Sequence, residues 1–153
     1  MHSKGYNVVF FIAMLASALA LGAALAHALE LPNKIGLTRG EYLVAQKSYR
    51  GWDQLAWLLL VQFVSIVTMA ILSRHESRIL IPVILAGVFL LCAQAVFWLF
   101  TYPANVTTHN WTTLPDDWAQ LRRRWEYSHA VGALFQVLAT SSLLIAALTR
   151  RPG

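Results

Sequence analysis

The chain has little charge. Asp, Glu, Lys and Arg make up 12% of its 153 residues, about half the share of a soluble domain. The charge is also segregated, and long stretches hold none. Both features exclude an ordinary soluble domain and point to the bilayer. There is one cysteine, Cys92, so no intrachain disulfide can form. It lies among Leu91, Ala93 and Val96 and reads as a small buried apolar residue, silent about redox compartment. No basic patch with interleaved aromatics stands free of the apolar runs, so the net charge of +5 does not indicate nucleic acid. Internal repeats, inverted repeats and broken spans are absent, which argues against a transporter.

What is present is apolar: 58% of the residues are hydrophobic. Four runs stand out, at residues 6–29, 52–72, 79–100 and 127–148. Each is long enough to cross the hydrocarbon core, which takes about 20 residues. Lipid admits only helices or closed barrels, and the runs are too continuous to alternate as barrel strands do. The expected fold is all-α: one membrane domain over residues 1–153, a four-transmembrane-helix antiparallel bundle. The N-terminus has a basic Lys4, then an apolar stretch and Ala24-Leu25-Ala26, which resembles a cleavage site. The stretch is longer than a signal core, so it is read as the first transmembrane helix.

Between the first two spans, Pro32 and Asn33 are expected to break the first helix. Thr38-Arg39-Gly40-Glu41 fits a capping box, which predicts a short interfacial helix that Gly51 ends. Asp53 is placed to cap the second span. A tight turn at residues 73–78 joins spans two and three, and Pro82 follows in the first turns of span three. Residues 101–111 read as a polar loop. Leu114-Pro115-Asp116-Asp117 then starts a helix that runs into span four. Small residues on spans one and four (Ala13, Ala16, Ala20; Gly132, Ala133, Ala139) favour their close approach.

The termini and the tight turn share one side, with Lys4, Arg74, Arg78, Arg150 and Arg151. The longer loops share the other, with seven spread-out Lys and Arg residues that alternate with acidic ones. The dense basic residues in short segments favour cytoplasmic termini.

Function is expected at the long-loop rim. His27 and Glu30 close the first span, and Glu126 and His129 open the last. Each pair is three residues apart and shares a helix face. In antiparallel helices the four residues meet at one depth, His deeper and Glu nearer the rim. Ionisable groups there are costly and mark function. Imidazole and carboxylate suit a transition metal, and Glu126-Tyr127-Ser128-His129 formally matches the Glu-x-x-His of di-iron bundles. The expected metal set is His27, Glu30, Glu126 and His129, with His109 as a further candidate and iron or copper favoured. Haem between His27 and His129 is the alternative. The opposite rim offers only His2, His75 and Glu76. Gln62, Gln94 and Gln136 lie inside spans and are expected to hydrogen-bond between helices. Trp52, Trp111, Trp118 and Trp125 read as an aromatic belt, or else as a stacking wall for a flat, lipid-soluble substrate.

The stretch from Asn105 to His129 carries an Asn, Trp111, Trp118, Arg123-Arg124-Trp125-Glu126 and His129. It resembles the anthrone oxygenase-like family of small four-helix integral membrane proteins. The resemblance covers about 25 residues with some specificity and the four-span layout loosely. Gly132 stands where that family often has a basic residue. The resemblance implies oxidation of a flat phenolic or polycyclic compound by dioxygen. The working expectation is therefore a membrane-embedded oxidoreductase of the oxygenase type acting on a lipophilic, aromatic substrate. Arg123, Arg124 and His109 are its catalytic candidates, with the arginines stabilising an enolate or phenolate. Asn105, Trp111 and Trp125 are its substrate-binding candidates. Its partners are the bilayer and a lipophilic small molecule, with a homo-oligomer left open. The rivals are a haem or quinone electron carrier and a non-catalytic subunit of a larger membrane complex.

Overall fold

The structure is a computed structural model and describes residues 4–150. His2 and Arg151 fall outside the described residues. Six α-helices follow in order: α1 (Lys4–Lys34), α2 (Arg39–Gln46), α3 (Leu55–Leu72), α4 (Ser77–Val96), α5 (Tyr102–Thr107) and α6 (Trp118–Thr149). No strand occurs among the described residues. Four helical segments are long and apolar enough to cross a membrane: Lys4–Lys34, Trp52–Leu72, Ser77–Thr107 and Trp118–Thr149. At 1.5 Å per residue, the 31 residues of α1 extend about 46 Å.

Each long helix buries one face and turns large apolar residues outward on the other. On α1 the buried residues Tyr6, Phe10, Ala13, Ser17 and Ala20 recur every three or four positions, the period of one helix face. Phe11, Leu15 and Leu19 point away and are exposed. An apolar outer surface of this kind matches lipid. The core of the turn-side half is wholly apolar around Phe10, Ile66, Met69, Val83 and Leu143. Both described ends meet there. The Arg150 guanidinium lies over the rings of Tyr6 and Phe10 and donates to Asn7 Oδ1. Tyr6 Oη lies 3.1 Å from Ser73 Oγ in the turn after α3.

Two prolines tie α4 and the segment after it to α6. A proline inside a helix leaves the carbonyl four residues earlier without its N–H partner, and lipid cannot supply one. Pro82 frees the carbonyl of Arg78, which accepts from the Thr149 hydroxyl at 3.3 Å. Pro103 frees the carbonyl of Leu99, which accepts from the Arg124 guanidinium at 2.6 Å.

Three local expectations need correction. The first helix passes through Pro32 to Lys34, because the proline sits in its last turn, where a single lost bond is tolerated. Residues 101–107 are helical: α4 continues through a π-turn at Phe97–Thr101 into α5. Asp53 caps nothing, since it lies within a 3₁₀ turn (Trp52–Gln54) ahead of α3. The interfacial helix α2 does form. The Glu41 carboxylate accepts from the Thr38 N–H at 2.9 Å and from its hydroxyl at 2.6 Å. Those bonds hold the exposed Glu41 carboxyl below its ordinary pKa, the hydroxyl contributing most. Gly51 then reverses the chain at φ +85°, a conformation that favours glycine.

Candidate functional site

The long-loop half is built differently. The last two turns of α1 present His27, Glu30 and Lys34, and the start of α6 presents Arg122, Trp125, Glu126 and His129. The helix period puts residues 122, 125, 126 and 129 on one inward stripe. Arg123 and Arg124 fall outside it and are exposed. The segment from α2 to Gly51 folds over this end and buries Tyr42, which is 0% exposed.

The rings of His27 and His129 stack with centroids 4.0 Å apart at 17°. Trp125 packs against both, at 4.6 and 4.3 Å, and Tyr49 against His27 at 4.5 Å. Beside them Glu126 is completely buried. Its Oε1 accepts from the Tyr42 hydroxyl at 3.0 Å, and its Oε2 lies 3.3 Å from Lys34 Nζ. Lys34 is itself 5% exposed. It donates to Tyr49 Oη at 2.5 Å and stands 4.5 Å above that ring. The Tyr49 hydroxyl in turn donates to the exposed Glu30. Burial pushes the hydroxyls of Tyr42 and Tyr49 far above the ordinary tyrosine range, with the neighbouring Glu126 and Glu30 adding to it. Both therefore act as proton donors in these bonds.

A cavity of about 890 Å³ adjoins this cluster. Its rim end is walled by His27, Tyr49, Asn105, Trp111, Trp125 and His129. Two of these groups are fixed by their other bonds. His129 Nδ1 lies 2.9 Å from the carbonyl of Trp125. A carbonyl only accepts, so Nδ1 carries a hydrogen, and in the neutral imidazole Nε2 keeps its lone pair. Asn105 Oδ1 accepts from the indole N–H of Trp111 at 3.2 Å and of Trp125 at 2.7 Å, which leaves its amide N–H groups to donate elsewhere. Trp111 is held by a turn in which His109, Asn110 and Trp111 all adopt left-handed backbone, at φ 48°, 54° and 60°. Such conformations cost about 1 kcal/mol or more apiece and cluster at functional sites. The Thr108 side chain secures the turn by accepting from the Trp111 N–H at 3.1 Å. Deeper along α6, Gln136 bonds reciprocally with Gln62, at 3.0 and 3.4 Å, and Gln62 also reaches Ser17.

The structure brings together His27, Glu126 and His129, and Asn105 and Trp111 join them through Trp125. It does not bring together the rest of the expected site. Glu30 turns outward to Tyr49 and Lys34. His109 is exposed and serves the left-handed turn. Arg124 completes the carbonyl of Leu99, and Arg123 is on the outer face. Neither arginine lines the cavity. Among the described residues no group of three or more His, Cys, Asp or Glu side chains is placed to hold a metal ion, and of the four expected ligands Glu30 stands apart. The Lys34 ammonium supplies the positive charge beside Glu126 that a cation would supply. Nor do the histidines fit haem between them. Axial ligands approach the iron end-on from opposite faces, whereas these rings lie face to face. Trp111 and Trp125 form no outer belt, since both are buried.

Lys34, Tyr42, Tyr49 and Arg122 are the members that the sequence reading passed over. Lys34 had a signal, being seven residues after His27 on the same helical stripe. Arg122 had one too, four residues before Glu126; it donates to the carbonyl of Leu37 at 2.6 Å and so pins the segment that covers the site. Comparison of the chain with protein-family models, with curated proteins and with solved structures finds no match.

Proposed function

We propose that the chain is a membrane-embedded oxidoreductase of the oxygenase type, acting on a lipophilic aromatic substrate in the rim cavity. The observation that carries the proposal is the pairing, on one apolar cavity, of a bare imidazole nitrogen at His129 with free amide donors at Asn105. His129 Nε2 takes a proton from a phenolic O–H or from a methylene flanked by aromatic rings. The Asn105 amide donates to the oxygen on which the negative charge then rests. Dioxygen is the oxidant. A methylene and O₂ yield a carbonyl and water, one oxygen atom entering the product and the other leaving as water. The resemblance of residues 105–129 to anthrone oxygenase-like proteins supports the same chemistry. The termini are assigned to the cytoplasmic side by the short, dense basic segments that flank them. An iron- or copper-centred version would need Lys34 to leave the Glu126 carboxylate, so the metal-free proton transfer is favoured.

The test uses anthrone as probe with the detergent-purified protein under ¹⁸O₂. Enzyme-dependent oxygen uptake with label in the product is expected, and His129→Gln should lower the rate about 10²-fold or more. Unchanged turnover in His129→Gln would remove the base from the mechanism. No uptake by the wild-type chain with anthrone or a hydroxylated anthrone would favour a non-catalytic subunit.

A further inference from the structure

The cavity is most polar at its rim end. Deeper in, Gln94 and Gln136 are set among largely apolar walls, and several of the residues that line it are also exposed on the outer surface of the bundle. On α3 these are Leu60, 50% exposed, and Phe63, 39% exposed. Facing them is Trp98 in the π-turn after α4, 58% exposed. A residue that lines the cavity and also meets the outside marks an opening. This one lies between α3 and α4, within the apolar span.

The helix pair explains why the opening is there. α3 and α4 are joined by the tight turn at residues 73–76, and below the cavity they pack closely. A Cβ at Gly87 would lie 3.5 Å from Ile66 Cγ2. Toward the other rim residues of both helices line the cavity instead, and the π-turn at Phe97–Thr101 interrupts the regular α4 ladder there. π-turns recur at functional sites.

We infer that the ligand of this cavity is a tailed lipid: a hydroxyaromatic head at His129 and Asn105, with a hydrocarbon tail leaving between α3 and α4 into the bilayer. The head needs one group that donates to His129 Nε2 and one that accepts from Asn105, and a phenol oxygen does both. A neutral hydroxyl suits the imidazole, indole and amide groups of His129, Trp125 and Asn105, and the charged wall residues at that end, Arg50 and Asp53, are one of each sign. The tail follows from the opening, which presents Leu60, Phe63 and Trp98 and no charged side chain. This inference deepens the proposed function and rests on its placement of the site. The opposite wall is formed by Ala20, Ala23 and Ala24 of α1 with Gly132 of α6. A Cβ at Gly132 would meet no atom within 4 Å, so a side chain there starts in open space at the cavity wall.

The probe is 4-decylphenol with a diazirine at the tail end, photolysed with the full chain in phosphatidylcholine nanodiscs and mapped by peptide mass spectrometry. Saturable labelling of Leu60, Phe63 or Trp98 is expected, competed by excess tail-less phenol. Gly132→Leu should cut that labelling at least tenfold. Gly22→Leu, an exposed position on α1 with equally open surroundings, should leave it unchanged. Labelling at residues 50–53 or 110–112 would mean that the tail leaves through the rim and would overturn the inference. So would labelling that phenol cannot compete, which would identify bulk acyl chains in the gap, or the absence of saturable labelling. Binding is read without turnover, so a silent oxygen assay and a failed labelling pattern are separate results.

Discussion

The two halves of the bundle solve the same packing problem with opposite materials. The turn-side half is filled by aliphatic and aromatic side chains that leave little to satisfy. The long-loop half buries an ammonium, a carboxylate and one imidazole, half-buries a second, and keeps a cavity open beside them. Apolar packing would have closed that end at lower cost, since buried ion pairs are weak sources of stability. Their retention at one end only separates the part of the chain that holds the fold from the part that can bind and react.

The largest way to break the contrast is Lys34→Met. It strands the Glu126 carboxylate, 0% exposed, without its cation. Removing one partner of a buried pair costs about 3–5 kcal/mol. Unfolding in detergent, followed by circular dichroism against denaturant, should show that loss. Lys34→Met with Glu126→Gln should recover most of it. A single-variant cost below about 1 kcal/mol would mean that the pair behaves as a solvated surface bridge, and the distinction between the halves would weaken.

Leu143→Ala probes the other half. Leu143 is fully buried among apolar neighbours, and such truncations cost about 2–5 kcal/mol according to how far the site collapses. No second polar substitution should rescue it. A loss as small as that of an exposed leucine, such as Leu148→Ala, would show that the turn-side core is loosely packed.

How much of this was legible depended on range. Span number, antiparallel order and the α2 capping box follow from local composition and spacing, and the structure contains all three. That His27 and His129 share a rim and a depth also followed, because an antiparallel pair sets the end of span one beside the start of span four; that their rings meet did not. What could not be read was rotation about each helix axis. Glu30 is only three residues from His27, yet it lies on the exposed side, while Lys34 continues the buried stripe. The same ambiguity put Arg123 and Arg124 in the expected site and left out Arg122. Pro32 was misjudged because its place in the last turn of α1, where one lost bond is tolerated, shows only once the helix end is known; the partners of the carbonyls freed by Pro82 and Pro103, Thr149 and Arg124, lie far away in sequence.

Gln62→Leu sharpens the boundary between the halves. Gln62 links α3 to Ser17 and Gln136 near mid-bundle. Interhelical polar contacts in membranes average about 0.6 kcal/mol, so a loss of that order is expected in the same unfolding assay. A loss several times larger would place Gln62 with the ionic cluster and move the boundary deeper.

The smallest effect concerns the cover over the long-loop end. Glu41 is exposed, and its carboxyl is held below the ordinary value by the Thr38 hydroxyl and N–H. A carboxyl whose folded pKa is depressed adds stability above its unfolded pKa and loses it as pH falls through the folded one. The unfolded value is near 4.5, so the change begins below that pH. Amide hydrogen exchange across α2 should show wild type better protected than Glu41→Ala at pH 6. The ratio between the two should shrink toward one as the pH is lowered past the carboxylate range. The amides of α6 should keep a constant ratio throughout, because Glu41 caps only the interfacial helix. If the α2 ratio is already one at pH 6, the capping box is not what holds α2, and its seat over Glu126 rests on the buried Tyr42 and on the Arg122 bond to the carbonyl of Leu37.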